Sequence, residues 1–233
     1  MKKIVALILT AVVVLTFCSC GAKSGDEETP ITLPGQLSGP QEGDMVAVIE
    51  TTKGTIRIRL FPEYAVIACE NFQKLAESGY YNGCTIHKII EDFVIQTGDP
   101  TGTGHGGESA WGYAFANEYS DALHNYTGAV GVANNGDGTN GSQFYIVTGA
   151  PLAEEMLTAL DVANYPEDVI EAYRQTGGQP LLDYRYTVFG QVYEGLDILN
   201  KIDSVKTDDL MRPKKKITVK SVIIETYTEE ISE

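Results

Sequence analysis

The chain is poor in basic residues and in histidine. Its 233 residues include 17 lysines and arginines but 32 aspartates and glutamates, which gives a formal net charge of −15. Because a surface of this sign repels polyanions, the composition argues against DNA or RNA as a partner. The three histidines, His87, His105 and His124, lack the spacing of a metal-binding motif, so we expect neither a zinc site nor any cofactor.

Long apolar runs are also scarce, and the clear one lies at the N-terminus. Residues 4–17 are apolar and follow Met1-Lys2-Lys3, and this run is shorter than a membrane-spanning helix requires. We therefore predict a signal peptide over residues 1–19. The sequence Cys18-Ser19-Cys20-Gly21 resembles the cleavage box of bacterial lipoproteins, and Cys20 is the better candidate for lipidation because the small Ser19 precedes it. Ordinary secretion and an uncleaved anchor are the alternatives.

The next segment has the composition of a tether. Residues 23–44 are rich in glycine, proline, serine, threonine and acidic residues, and they show no apolar period. Such a segment cannot bury enough surface to become ordered, so we predict a flexible linker over residues 20–44. The domain that follows, residues 45–228, would be a monomer held by the lipid at the outer face of a bacterial cell membrane.

Cysteine is scarce in this domain, which contains only Cys69 and Cys84. An exported protein can keep a disulfide, but two cysteines fix no geometry from sequence alone. Two separate thiols that pack as small apolar side chains are the default interpretation, and a Cys69–Cys84 disulfide is the alternative.

Alternation of apolar and polar residues dominates the domain and predicts β-strands. The predicted strands cover residues 45–52, 55–60, 87–90, 93–97, 126–133, 143–148, 187–193 and 217–227. Residues 65–78 and 194–202 have helical spacing instead. Many strands with few helices indicate an antiparallel barrel or sandwich. Residues 149–180 interrupt the pattern with two further helical segments, 152–160 and 166–173, which we interpret as an inserted helical hairpin.

The most informative segment is a bend rich in glycine and asparagine, residues 134–142, which runs directly into an apolar strand. Gln143 and Tyr145 are two residues apart on that strand and therefore face the same side. Residues 86–99 offer a second cluster of basic, aromatic and amide side chains. Together the two segments resemble those of cyclophilins, the peptidyl-prolyl isomerases, and the similarity extends from Val46 to Tyr227. The resemblance implies a closed eight-stranded antiparallel barrel capped by two helices.

Prolyl isomerisation needs a site that favours a twisted amide. The planar X–Pro amide crosses a barrier of about 18–20 kcal/mol, and the proline nitrogen regains its lone pair at the twisted transition state. A donor aimed at that nitrogen stabilises the transition state alone. An apolar pocket helps because the planar amide is the more polar form and loses more on leaving water. This chemistry requires no covalent intermediate, metal or cofactor.

The resemblance implies roles for individual residues. Lys88 stands where the family has an arginine and is the candidate catalytic residue. A flexible lysine positions its charge less rigidly than arginine does, so we expect slow turnover. The implied substrate-binding residues are Phe93, Val94, Gln96, Ala133, Asn134, Gln143, Tyr145, Leu182 and Tyr186. Leu181 replaces a tryptophan of the family, which argues against binding of cyclosporin.

Several of these assignments have a plainer alternative. Lys88 could merely solvate the wall of the groove, and Gln96 and Gln143 could cap strand edges. Residues 102–107 fit the dinucleotide-binding pattern literally, but the residues after them do not open a helix and no βαβ unit surrounds them. We therefore discard a phosphate site there.

Two functions of different class fit the sequence best. The first is an exported prolyl isomerase that binds proline-containing segments of other exported proteins and assists their folding. The second is a binding module or chaperone that holds such segments in the same groove with little turnover. A third hypothesis is a lipoprotein that docks to a partner through the insertion.

Overall fold

The computed structural model describes residues 32–134, 136 and 138–229. The predicted signal peptide, Cys20 and the first part of the predicted linker lie outside the described residues. None of the described helices is long and apolar enough to cross a membrane. The strands are β1 (Met45–Thr51), β2 (Gly54–Leu60), β3 (Lys88–Ile90), β4 (Val94–Thr97), β5 (Phe115–Ala116), β6 (Ala129–Val132), β7 (Thr139–Asn140), β8 (Phe144–Val147), β9 (Val188–Glu194) and β10 (Val219–Thr226). The helices are α1 (Val66–Glu77), α2 (Glu154–Val162), α3 (Glu167–Thr176) and α4 (Leu196–Asp203).

Eight of the strands form one antiparallel sheet in the order β10-β1-β2-β9-β6-β8-β4-β3. The sheet is curled into a half-barrel rather than the closed barrel that we expected. The chain just before each end strand closes part of the gap: Thr85 and Thr218 form an isolated bridge, and Ile86 N–H donates to Ile217 O at 3.0 Å. Gly83 N–H also donates to Val219 O, and Val219 N–H donates to Cys84 O, both at 2.9 Å. Strand β3, which has only three residues, forms no ladder with β10.

The concave side of the sheet holds the main core. Apolar side chains from every second strand position point inward, as the alternating pattern predicts. Helix α1 covers this core with Phe72 and Leu75, and α4 covers it with Leu199 and Ile202. These are the two capping helices that the sequence indicated. The carboxylate of Glu118 accepts hydrogen bonds from the first backbone N–H groups of α1, where a negative charge is favourable.

The insertion folds as the predicted helical hairpin, formed by α2 and α3. It has a small core of its own around Tyr126 and Tyr173, both fully buried. The hairpin ends at Gly177, whose positive φ of 73° suits glycine and lets the chain leave α3. Thr127 N–H then donates to Gly177 O at 3.2 Å, which joins the end of the hairpin to the sheet.

The linker prediction was wrong for residues 33–44, which we call the strap. Leu33 and Leu37 pack against the core of the insertion. Gln36 is 3% exposed, and its amide donates to His124 O at 2.8 Å and accepts from His124 N–H at 2.8 Å. The strap is thus part of the domain. The polar composition of the strap did not reveal its order, because two leucines and one hydrogen-bonded glutamine are enough to anchor it.

Both cysteines of the domain are free and buried, which confirms the default interpretation. Burial raises the pKa of the Cys69 thiol to about 12 and that of Cys84 to about 11. Each therefore stays a neutral thiol at physiological pH and acts as a small apolar side chain.

The anchoring of the strap can be tested by Gln36→Ala. This substitution leaves the N–H and C=O groups of His124 without partners in a buried site, so we expect the free energy of unfolding to fall by about 1–3 kcal/mol. A drop of about 2–4 °C in melting temperature per kcal/mol is expected for a domain of this size. Gln41→Ala is the matched control, because Gln41 lies in the same strap but is exposed. Equal stability of the two variants would show that the strap is not held in this way.

Candidate functional site

The register of four adjacent strands places a row of residues on the outer face of the sheet. Lys88 on β3 lies opposite Gln96 on β4, Gln96 lies opposite Tyr145 on β8, and Tyr145 lies opposite Gly131 on β6. Side chains directly opposite each other share a face, with their Cβ atoms about 4.5–5.5 Å apart. Lys88, Gln96 and Tyr145 therefore stand side by side, facing away from the main core.

An apolar patch adjoins this row. It contains the residues that the sequence predicted for the proline pocket, namely Phe93, Val94, Ala133, Tyr145, Leu182 and Tyr186. Val94 and Tyr145 form its floor, with exposed fractions of 6% and 4%. The other four are half-buried and form its rim. The ring of Tyr186 meets that of Tyr145 edge-on, with centroids 5.9 Å apart.

The floor of the patch depends on a glycine. A Cβ atom on Gly131 would lie 2.3 Å from the Tyr145 hydroxyl oxygen and equally close to the ring carbon that bears it. The Tyr145 ring therefore lies directly on the backbone of β6, and any other residue at position 131 would force this ring to move.

A buried polar network beneath the floor was not predicted from the sequence. The Tyr145 hydroxyl donates to Asn125 Oδ1 at 2.7 Å, and Asn125 Nδ2 donates to Asp183 Oδ1 at 2.8 Å. Burial raises the pKa of Tyr145 well above its usual value, so its hydroxyl keeps the proton that it donates. One feature of the sequence could have indicated this network: a carboxylate, Asp183, directly follows the predicted pocket residue Leu182.

The two glutamines bind each other and a neighbouring loop. Gln96 Nε2 donates to Gln143 Oε1 at 2.8 Å. Gln143 Nε2 in turn donates to the carbonyl oxygens of Gly104 at 3.1 Å and Gly106 at 2.7 Å. Their side chains therefore link the outer face of the sheet to the glycine loop, residues 98–107, rather than capping a strand edge.

The glycine loop is held by a buried carboxylate. Asp99 accepts backbone hydrogen bonds from Thr101, Thr103, Gly104 and Gly106. Burial alone would raise the pKa of Asp99, but the hydrogen bonds outweigh it and hold that pKa well below the usual range. The loop thus folds around a permanent negative charge. A Cβ on Gly106 would strike Asp99 Oδ1, so glycine is required there as well.

A polar cavity of about 180 Å³ lies between the glycine loop and the bend that follows β6. Gln96, Gln143, Ala133 and Asn134 line it from the side of the sheet. Ala133 N–H donates to Gln143 O at 2.9 Å, which ties the start of the bend to β8. The cavity therefore extends the apolar patch into a groove.

Asn117 is a further residue that the sequence did not reveal. Asn134 Nδ2 donates to Asn117 Oδ1 at 3.1 Å, and Asn140 Nδ2 donates to the same oxygen at 3.0 Å. Next to Asn117, strand β5 pairs with β7 in a small separate sheet. These contacts hold the side chains of Asn134 and Asn140 together at Asn117.

The Lys88 ammonium has no hydrogen bond or ion pair within the described part of the chain, and the residue is half-buried. Its neighbour His87 is buried, and burial lowers the pKa of that imidazole, so His87 stays neutral at neutral pH. Residues 32–134, 136 and 138–229 contain no group of three His, Cys, Asp or Glu side chains that could hold a metal ion.

Comparison with known proteins agrees with this geometry. Residues 46–224 match the family model described as cyclophilin type peptidyl-prolyl cis-trans isomerase/CLD. A protein of Staphylococcus saprophyticus named "Putative peptidyl-prolyl cis-trans isomerase" is 44% identical over 190 residues, which are 81% of this chain and 96% of that relative. A protein of the same name from Staphylococcus aureus is 42% identical over 185 residues, which are 79% of this chain and 94% of that relative.

Solved structures give the same result. The crystal structure of a Cryptosporidium parvum cyclophilin type peptidyl-prolyl cis-trans isomerase aligns with a TM-score of 0.65 and 31% identity over 79% of this chain and 99% of that one. A second structure of that protein, in the presence of the dipeptide Ala-Pro, aligns with a TM-score of 0.64. The chain therefore belongs to the family of cyclophilin-type peptidyl-prolyl cis-trans isomerases.

Proposed function

We propose that this isomerase acts on proline-containing segments of exported proteins, with Lys88 as its catalytic residue. The observation that carries the proposal is the row of Lys88, Gln96 and Tyr145 beside the apolar patch. This row puts a cation next to the surface that would hold a proline ring.

The apolar patch would act on the ground state of the substrate. A proline ring against Phe93 and Leu182 leaves water together with the amide that precedes it. The planar amide is more polar than the twisted one, so desolvation raises the energy of the planar form more. The patch thereby lowers the barrier without touching the nitrogen.

Lys88 would act on the transition state. The proline nitrogen has no lone pair to offer while the amide is planar, and it gains one as the bond twists. A hydrogen bond from the Lys88 ammonium therefore forms only in the twisted state, which is the condition for acceleration. Because lysine has a flexible stem and a single charged nitrogen, we expect this bond to be less well positioned than one from arginine, and turnover to be slower.

The residues around the cavity would position the peptide. The Ala133 carbonyl and the oriented Asn134 side chain lie on one side of the groove, and the glycine loop lies on the other. Gln96 and Gln143 connect the two sides. An extended segment between them would present its proline to the patch and its neighbouring residues to the polar cavity.

Export and lipid anchoring form the second part of the proposal. The apolar residues 4–17 and the small residue before Cys20 support it. Anchored at the outer face of the membrane, the domain would meet newly exported chains, in which unfolded X–Pro bonds populate both isomers and exchange slowly.

The role of Lys88 is tested by exchange spectroscopy on a proline tetrapeptide. We expect Lys88→Ala to lower kcat/KM by about 10- to 100-fold, because a hydrogen bond from a charged group contributes about 1.5–3 kcal/mol. Lys88→Arg should raise kcat/KM above the wild-type value.

Lys53→Ala is the control for removal of a positive charge, since Lys53 is exposed in the turn between β1 and β2. If Lys88→Ala accelerated cis–trans exchange of the peptide as much as the wild-type protein does, Lys88 would have no catalytic role. Line broadening of the peptide without faster exchange, in the wild-type protein, would instead favour a module that only binds.

The dependence of the glycine loop on Asp99 predicts a pH effect on stability. In Asp99→Asn an amide NH₂ group faces backbone N–H groups that cannot accept its hydrogen bonds. We therefore expect the free energy of unfolding to fall by about 2–3 kcal/mol at neutral pH. A carboxylate with a lowered pKa stabilises the fold above its unfolded pKa of about 3.9, and this contribution is lost as the pH falls towards the folded value. The difference from wild type should therefore shrink below about pH 4. Asp209→Asn, at an exposed position, should show neither effect.

Lipidation is tested by two single substitutions at the N-terminus. Cys20→Ala should abolish incorporation of a labelled fatty acid and release the protein from the membrane fraction. Cys18→Ala should leave both unchanged, because the residue before Cys18 is the bulky Phe17. Loss of the label in the Cys18 variant but not in the Cys20 variant would reverse the assignment.

A further inference from the structure

The polar network beneath Tyr145 reaches well beyond the groove. From the Tyr145 hydroxyl it passes through Asn125 to Asp183, and Asp183 also contacts Tyr173 on α3. Each of these four side chains is buried. The network thus connects the floor of the apolar patch to the inserted hairpin.

Asp183 is the centre of this network. Its Oδ1 accepts from Asn125 N–H and from Asn125 Nδ2, both at 2.8 Å. Its Oδ2 accepts from the Tyr173 hydroxyl at 2.6 Å and lies 3.1 Å from His124 Nδ1. A buried carboxylate is tolerated only when its oxygens are satisfied in this manner.

The carboxylate also decides which way the Asn125 amide points. An ionised carboxylate only accepts hydrogen bonds, whereas an asparagine amide has one accepting end and one donating end. The NH₂ end of Asn125 must therefore face Asp183, which leaves Asn125 Oδ1 for the Tyr145 hydroxyl. Asp183 in this way fixes the donor direction and the depth of the Tyr145 ring.

Because the Tyr145 ring forms part of the floor, its position determines how deep the apolar patch is. The ring lies against the Gly131 backbone and meets the Tyr186 ring edge-on, and its hydroxyl is anchored by the hydrogen bond to Asn125 Oδ1. We propose that Asp183 is a positioning residue that holds Tyr145 as the floor of the proline pocket through Asn125 and couples this floor to Tyr173 of the insertion. The inference rests on the proposed placement of proline against the patch.

A double-mutant cycle on the full chain tests the coupling. Tyr145→Phe removes the hydroxyl but keeps the ring, and we expect kcat/KM for a proline tetrapeptide to fall about 3- to 10-fold. Asp183→Ala frees Asn125 and should lower kcat/KM about tenfold. Since both act through the same hydroxyl, the double variant should be no slower than the slower single variant. Additive losses would overturn the proposal.

The conservative variant separates positioning from mere stability. Asp183→Asn still offers an oxygen to Asn125, and the Tyr173 hydroxyl can accept from its NH₂ because a phenol both donates and accepts. We expect it to recover most of the kcat/KM lost in Asp183→Ala even though its melting temperature stays below that of wild type. If kcat/KM instead followed melting temperature through the series, Asp183 would have only a structural role.

Two controls match the chemistry of the tested residues. Tyr126→Phe removes a buried hydroxyl that has no hydrogen-bond partner among the described residues, so its kcat/KM should match wild type. Asp203 is a second buried carboxylate, bonded to Thr148 Oγ1 at 2.8 Å and Asp92 N–H at 3.0 Å. Because it does not touch Asn125, Asp203→Ala combined with Tyr145→Phe should be additive.

A local NMR signal reports the position of the ring directly. Gly131 lies against the Tyr145 ring, so a displaced ring should shift the Gly131 amide resonance in both Tyr145→Phe and Asp183→Ala. An unmoved signal in Asp183→Ala would contradict the proposal. Should the wild-type protein bind the peptide without accelerating exchange, the proposed catalysis fails. The same cycle measured on peptide Kd then decides the coupling.

Discussion

The pairing register of strands β3, β4, β8 and β6 is the constraint on which the site depends. In this register Ile89, Ile95 and Ile146 enter the main core, and Lys88, Gln96 and Tyr145 face outward. A slip of one residue would exchange the two faces, bury an ammonium and expose isoleucines. The hydrophobic effect that stabilises the core therefore also places Lys88, Gln96 and Tyr145 on the outer face. No further interaction within the groove is needed to put these three side chains side by side.

What the register cannot set is the depth and shape of the walls, and two buried carboxylates do this. Asp99 gathers the backbone N–H groups of the glycine loop on one side of the groove. Asp183 orients Asn125 under the floor on the other. Both are suited to the task because a carboxylate accepts only, so it imposes a direction on every donor around it. Buried polar networks of this kind rigidify a site when they are fully satisfied.

The sequence predicted the elements whose signal is local and missed those whose partners are distant. Strand β2 alternates Ile56, Ile58 and Leu60 with polar residues, so its period was visible. Strands β5 and β7 have two residues each and are too short to show a period. The closed barrel was predicted from the resemblance, whereas the eight strands form a curled half-barrel. The strap looked like a linker because the surface that Leu37 covers belongs to the insertion, more than a hundred residues away.

Among the site residues, too, those with a local sequence signal were predicted and those with distant partners were missed. Most residues of the groove lie in two continuous segments with recognisable spacing, and the structure brings them together with Leu182 and Tyr186 from a third segment. Asn125 and Asp183 are separated by 58 residues and lie outside any strand or helix, so no periodicity relates them. In the proposed mechanism, the difference between holding a proline and turning it over rests on side-chain geometry of this kind. A flexible ammonium acts only if the ring beside it is fixed, because a hydrogen bond weakens steeply as its angle departs from linear. In the proposed mechanism a lysine in place of an arginine thus increases the demand on the floor of the pocket, and the hydrogen bond of the Tyr145 hydroxyl would supply the constraint that a flexible donor lacks.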